Sequence, residues 1–306
     1  MNQNSKILIT GSTGMVGSAV VRLLKKQGFT NLLTPSRKEL DLRNTQEVNN
    51  YFQEHKPEYA YLIAAKVGGI HANMTYRADF IFDNLMMQCN AINACKDNQI
   101  KKLLFVSSGC VYPKNANNPI HEADILTGLL EPSNEHYSVA KIAGIKMCEA
   151  YHLQHGLDYV VVIPNNIYGP KDNYHPENSH VMASLIRKFH EANKNNTDVE
   201  IWGSGNQMRE FVYVDDVASA CISLMNSTHT GSYNCSSEVE IPIRDLANLV
   251  ATIQDFKGNI NYNTTKPEGH FRKGFSCQKL KEIGWNAGTD LETGIRLAYN
   301  WYKQNN

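Results

Sequence analysis

A tyrosine and a lysine four residues apart, in Tyr137-Ser138-Val139-Ala140-Lys141, are the pair in this chain best suited to chemistry. On a helix they lie one turn apart on the same face. A free phenol has a pKa of about 10 and is a poor proton carrier at neutral pH. A nearby ammonium group favours the phenolate and brings it towards neutrality. Beside a nicotinamide, such a pair moves a proton onto or off a hydroxyl while hydride moves at the adjacent carbon. Two other features belong with it: Ser108, and the loop Gly11-Ser12-Thr13-Gly14-Met15-Val16-Gly17.

Thr10-Gly11-x-x-Gly14-x-x-Gly17 stands between an apolar strand and a helix. Glycines there allow a tight turn and let backbone approach a pyrophosphate, which the helix N-terminus then faces with free N–H groups. NAD-dependent proteins usually carry Asp or Glu at the end of the second strand, on the ribose 2′-hydroxyl. Here that strand runs into Thr34-Pro35-Ser36-Arg37-Lys38. A guanidinium suits a 2′-phosphate, so Arg37 favours NADP. Asp41-Leu42 can meet the adenine amine.

The elements that must position these residues alternate. Strands are expected over 6–10, 31–34, 58–65, 102–107 and 159–163, and helices over 15–27, 44–55, 80–97 and 135–155. That order predicts an α/β fold with a doubly wound parallel sheet. Beyond Pro164 the pattern changes. Residues 165–173 are turn-rich. Helices follow over 181–192, 214–225, 243–254, 278–283 and 291–302, with short strands near 200–202 and 210–214. The expected division is a nucleotide-binding domain from 1–170 and 213–238 and a smaller, discontinuous α/β substrate domain from 171–212 and 239–306.

With 306 residues, the chain is long enough for a substantial core. Its formal net charge is zero, which argues against nucleic acid or an anionic membrane as the main partner. Residues 1–6 carry no apolar signal core, and no apolar run approaches the roughly 20 residues that span a bilayer. Seven scattered cysteines without a CxxC pair fit reduced thiols and a cytoplasmic protein. The 11 histidines show no HExxH spacing, so no metal is expected.

Taken together, these features resemble the extended short-chain dehydrogenase/reductase superfamily. Finer motifs resemble its GDP-L-fucose synthase family, the GDP-4-keto-6-deoxy-D-mannose 3,5-epimerase-4-reductases. The matching stretches are Gly14-Met15-Val16-Gly17-Ser18-Ala19, Ala64-Ala65-Lys66-Val67-Gly68-Gly69-Ile70, Gly109-Cys110-Val111-Tyr112-Pro113, Asn165-Asn166-Ile167-Tyr168-Gly169-Pro170, Asp172-Asn173, Asn178-Ser179-His180-Val181, Trp202-Gly203-Ser204-Gly205 and Met208-Arg209-Glu210-Phe211. They reach at least to Gly269. Tyr137 and Lys141 identify only the superfamily; the later motifs in combination are far more specific.

The resemblance implies a Rossmann-type sheet, NADPH, a GDP-sugar substrate and a homodimer. It implies Ser108, Tyr137 and Lys141 as the reductase triad, with Cys110 and His180 as the epimerisation pair. Gly11 to Gly17, Arg37, Lys141, Pro164, Asn165, Asn166, Ile167 and His180 would hold the cofactor. Lys188, Trp202, Arg209 and Glu268 would line the nucleotide-sugar site. Several positions depart from the family pattern. Ser12-Thr13 stand where relatives can carry a basic residue. Gly109 replaces the usual Ser or Thr. Lys188 stands where arginine is also found, and Glu268 where aspartate often contacts substrate.

Overall fold

The computed structural model describes residues 1–266 and 272–306. The first strand, β1 (Ile7–Thr10), is buried along its whole length, as a central parallel strand must be. Helix α1 (Met15–Lys26) follows, burying Val16, Ala19, Val20 and Leu24 on one face and ending in Lys25 and Lys26, which oppose its dipole. Next come β2 (Leu32–Leu33), α2 (Thr45–His55) and β3 (Tyr59–Leu62). Asn44 caps α2 by accepting from the backbone of Gln46 and Glu47. The short α3 (Ile70–Thr75) runs into α4 (Arg77–Asp97), then β4 (Lys102–Val106), α5 (Glu135–His155) and β5 (Tyr159–Pro164).

The chain then leaves this sheet. β6 (Asn166–Tyr168), α6 (Val181–Asn195), β7 (Val199–Trp202) and β8 (Met208–Tyr213) precede α7 (Val214–Asn226) and β9 (Gly231–Cys235). The remaining elements are β10 (Glu240–Pro242), α8 (Ile243–Ile253), β11 (Ile260–Asn263), α9 (Gln278–Glu282) and α10 (Leu291–Asn305). The main sheet has six parallel strands in the order β2-β1-β3-β4-β5-β9. A second sheet, β10-β8-β6, and a parallel pair, β11-β7, lie apart from it.

Side chains alternate strictly between the faces of the main sheet. Ile7, Ile9, Leu104, Val106, Val160 and Val162 join α1 and α7 in one core. Leu8, Leu103, Phe105, Val161 and Ile163 join α2, α4 and α5 in the other. The first core continues into the later elements through Met182, Phe189, Phe211, Leu246 and Ile295, so one apolar body fixes both sheets.

The expected helices are present within a few residues. Four strands were not anticipated: β6, β9, β10 and β11. Gly231-Ser232-Tyr233-Asn234-Cys235 is too polar to read as a strand, yet it pairs along β5. β6 lies inside the segment read as turn-rich, where Asn166, Ile167 and Tyr168 pair with β8. Among the described residues, no helix is long and apolar enough to cross a membrane.

Candidate active site

Strand order reverses between β1 and β3, where crevices at the carboxyl ends of parallel strands take ligands. Thr10 closes this point: its hydroxyl donates to Tyr61 O and accepts from the backbone of Ile63 and Ala64. Gly11 follows with φ of +69°, and a Cβ there would lie 2.9 Å from Ala64 Cα. At Gly17 a Cβ would lie 2.1 Å from Gly11 O, so only glycine lets α1 approach this closely. Gly14 begins α1 and is exposed with Thr13. Ser12 is half-buried, Met15 likewise, and Val16 is buried beneath them. The bare backbone cradle fits a dinucleotide's diphosphate.

Ser12 Oγ reaches Thr34 O (3.4 Å), bringing the loop to the turn after β2. Arg37 is exposed on that turn, near enough to Asp41 to help lower its carboxyl. Asp41 is held chiefly by Arg43, through bonds of 2.6 and 3.0 Å, at a pKa of about 2. Arg43 thus neutralises the Asp41 carboxylate next to Arg37.

Several of the candidate catalytic groups gather at the end of β4. Ser108 caps a single tight turn over Gly109–Val111 and accepts from the Cys110 backbone N–H (3.5 Å). The same hydroxyl hydrogen-bonds the Tyr137 phenol, which is also close to Cys110. Lys141, 3 % exposed, donates to Val106 O at 2.9 Å and lies 4.6 Å from the Phe105 ring centroid. Burial lowers its pKa to about 8. Burial is also the largest influence on Tyr137 and raises its phenol, with Cys110 adding to the rise and Ser108 opposing it. The expected depression by Lys141 is therefore corrected. The ammonium group is directed at Val106 O, and desolvation of the phenol outweighs the Ser108 hydrogen bond.

Gly109 has a steric reason. A Cβ there would meet Phe275 Cζ at 2.7 Å, and Phe275 is itself buried. Pro164 is buried at the end of β5, and Ile167 is half-buried on β6. Asn165 Nδ2 donates to Glu210 Oε2 (3.0 Å) and Lys273 O (3.1 Å), while Asn166 Nδ2 donates to Glu210 O (2.8 Å). Both asparagine side chains thus tie the strand crossing together.

His180 begins α6 and stands exposed, yet the walls around it desolvate the imidazole and lower its pKa. Its segment is docked on the loop after β3: Asn178 O accepts from Gly69 N (3.1 Å) and from Asn173 Nδ2 (3.3 Å). A Cβ on Gly68 would lie 3.2 Å from Phe80 Cζ, and the Phe80 ring meets Tyr137 edge-on at 6.2 Å. Contacts thus run from Asn178, near His180, through the glycine pair and Phe80 to Tyr137.

Lys188 and Trp202 stand further out. Lys188 Nζ donates to Glu200 O at 2.8 Å, and burial lowers its pKa. Trp202 is 58 % exposed at the end of β7, with Lys266 Nζ 5.5 Å from its ring centroid. Arg209, half-buried on β8, donates to Met208 O and interacts with Lys273. Glu268 lies outside the described residues.

Sequence reasoning passed over two groups here. Lys273 is half-buried, its backbone carbonyl accepts from Asn165 Nδ2, and burial lowers its pKa. Glu210, only 3 % exposed, accepts from Ser236 Oγ (2.6 Å), Asn165 Nδ2 and Phe275 N (3.1 Å). An Arg-Glu-Phe run offers no sign that its acid is buried.

A cavity of about 440 Å³ lies apart from these groups, lined by Asp172, Tyr174, Arg187, Trp301 and Tyr302 among others. Burial pushes the Asp172 carboxyl up to about 7. Below about pH 4 it is protonated in folded and unfolded chains alike. As pH rises, the unfolded chain ionises first, and the fold loses stability until the native carboxyl ionises near 7. Asp172→Asn should therefore melt above wild type by a margin that grows from about pH 4 and levels beyond about pH 7. Melting curves across that range test this, and a constant margin would refute it.

Residues 7–236 match the NAD dependent epimerase/dehydratase family. Over 307 residues the chain is 48 % identical to GDP-L-fucose synthase 1 of Arabidopsis thaliana, covering 99 % of this chain and 95 % of that protein. It is 44 % identical to the GDP-L-fucose synthase of Escherichia coli K12, covering 98 % and 97 %. The chain belongs to the GDP-L-fucose synthase branch of that family. A solved structure titled as a GDP-L-fucose synthetase from Naegleria fowleri bound to NADP superposes with a TM-score of 0.93 at 30 % identity, covering 100 % of this chain and 94 % of that one. The turn at the end of β4 places the Ser108 hydroxyl and the Cys110 thiol near one phenol, that of Tyr137.

Proposed function

We propose that this enzyme converts GDP-4-keto-6-deoxy-D-mannose to GDP-L-fucose, by epimerisation at C3 and C5 and NADPH-dependent reduction of the C4 ketone. The observation that carries this reading is the clustering of Ser108, Cys110 and Tyr137 around one turn at the end of β4. A plain ketoreductase needs no thiol there.

The C4 ketone acidifies the protons on C3 and C5. Cys110 takes a proton from one face, and the electron pair moves to the ketone oxygen as an enolate. Ser108 and Tyr137 stabilise that oxygen as hydrogen-bond donors. His180 returns a proton on the opposite face. When bound, NADPH supplies the hydride for C4. Tyr137 protonates the developing alkoxide, and Lys141 orients the ribose. Gly11 to Gly17 hold the diphosphate, Pro164 to Ile167 wall the nicotinamide end, and Lys188, Trp202 and Arg209 bind the nucleotide sugar. Incubation with the ketone and NADPH, followed by NMR of the sugar, tests the reading; a product other than GDP-L-fucose would overturn it.

Arg37→Ala should weaken NADPH binding about tenfold or more and leave NADH nearly unchanged, because only NADPH carries the 2′-phosphate. Titration of both cofactors by fluorescence checks this, and equal losses would remove Arg37 from that role.

The proposed division assigns 1–170 and 213–238 to nucleotide binding and 171–212 and 239–306 to the sugar, with β6 reaching across between them. A homodimer is supported by Phe82 on α4 and by Val139 and Leu153 on α5, which leave large apolar side chains exposed. Seven free cysteines suit the cytoplasm.

A further inference from the structure

Three chain segments meet on a single buried oxygen. Glu210 Oε2 accepts from Phe275 N (3.1 Å), Asn165 Nδ2 (3.0 Å) and Ser236 Oγ (2.6 Å). The other oxygen, Oε1, leaves no room for a side chain at Gly274, where a Cβ would lie 2.9 Å from it. Residues 272–277 thus run as a strap held against β8. Elsewhere the strap is tied to the segment after β4: Asn118 Oδ1 accepts from Gly274 N (2.6 Å), and Gly274 O accepts from Ile120 N (2.8 Å).

Two of the three segments close on Gly109. The Phe275 ring comes within 2.7 Å of the place a Cβ at 109 would occupy. Pro164 O, on the residue before Asn165, comes within 3.4 Å of the same place. The Phe275 ring also meets Tyr112 edge-on at 5.2 Å, so it spans the turn from its first residue to the residue that ends it.

We infer that Glu210 is a positioning residue for the site: by holding Phe275 and Asn165 it fixes the backbone at Gly109, and with it the spacing of the Ser108 hydroxyl and the Cys110 thiol. The inference rests on the function proposed above. Glycine is the residue least able to hold its own backbone. The bonds within the turn are long, 3.5 Å from Cys110 N to Ser108 Oγ and 3.2 Å from Val111 N to Ser108 O. Packing from outside must therefore supply the rigidity. The role needs an acceptor oxygen at Oε2 rather than a charge, since all three groups it binds are neutral donors.

Glu210→Ala removes the acceptor, and Glu210→Gln keeps an acceptor oxygen with the same reach. Rates are referred to the protein that binds NADPH in a titration, so that unfolded chains do not count. On that basis the Ala variant should lose about tenfold to hundredfold in deuterium incorporation from D₂O at C3 and C5 and in single-turnover NADPH oxidation at saturating ketone. KM for the ketone should change little, and glutamine should restore most of both rates. A purely structural role would lower the melting temperature and leave the rates of the folded protein alone. Should the Ala variant not fold, Phe275→Leu decides, because it withdraws the ring from Gly109 without orphaning a polar group; both rates should fall there too. Wild-type rates in the folded Ala variant, or in Phe275→Leu where that variant fails to fold, overturn the role and leave the reaction assignment standing. If wild type exchanges no deuterium and yields no GDP-L-fucose, the reaction assignment falls, and this role with it.

Discussion

Tyr137→Phe is expected to lower reduction of the C4 ketone by roughly 10³-fold, within the span that general acid catalysis contributes. The substitution removes the hydroxyl bonded to Ser108 and keeps the ring that meets Phe80 edge-on, so the cleft should remain intact. NADPH binding should change little, since Lys141 remains anchored on Val106 O. Stopped-flow NADPH oxidation in single turnover reads the loss directly. Near-normal reduction would remove Tyr137 as the proton donor. Burial raises this phenol, so the neutral, donating form prevails at physiological pH. That is the form reduction consumes.

Cys110→Ser and His180→Asn should separate the two chemistries. A serine hydroxyl is too weak a base at neutral pH, so deuterium exchange from D₂O at C3 and C5 should fall by roughly 10²-fold or more. Asparagine can hydrogen-bond but cannot donate as an acid. Because the walls of the cleft lower the His180 pKa, its acidic form should fade as pH rises through a range below the ordinary imidazole value of about 6.5. Wild-type exchange limited by His180 should weaken over the same interval. Ser108, Tyr137 and Lys141 survive in both variants, so un-epimerised ketone should still be reduced slowly, to a product of the wrong stereochemistry. Exchange at wild-type rates in both variants would leave a plain 4-ketoreductase as the better reading.

Local residue choice determined much of this protein. Alternating apolar runs and helical faces foretold the doubly wound sheet, because each element's burial pattern is written in its own segment. Glycines at 11, 14 and 17 marked the tight turn from β1 into α1, and the spacing of Tyr137 and Lys141 put both on one face of α5. The register of Ser108 against Cys110 could be read as well, since one short turn carries both.

Tertiary structure decided the rest. β9 is recognisable only because β5 offers it an open edge, and β6 only because β8 pairs with it. Arg209-Glu210 looks in sequence like a charged surface pair. Only the packed molecule shows Glu210 buried, joining Asn165, Ser236 and Phe275 from segments dozens of residues apart. The direction of the Tyr137 shift followed the same division. Spacing gives the lysine's place on the helix, but desolvation depends on everything that surrounds the phenol. Gly109 and Phe275 are separated by more than half the chain, so the close approach that requires a glycine at 109 exists only after folding.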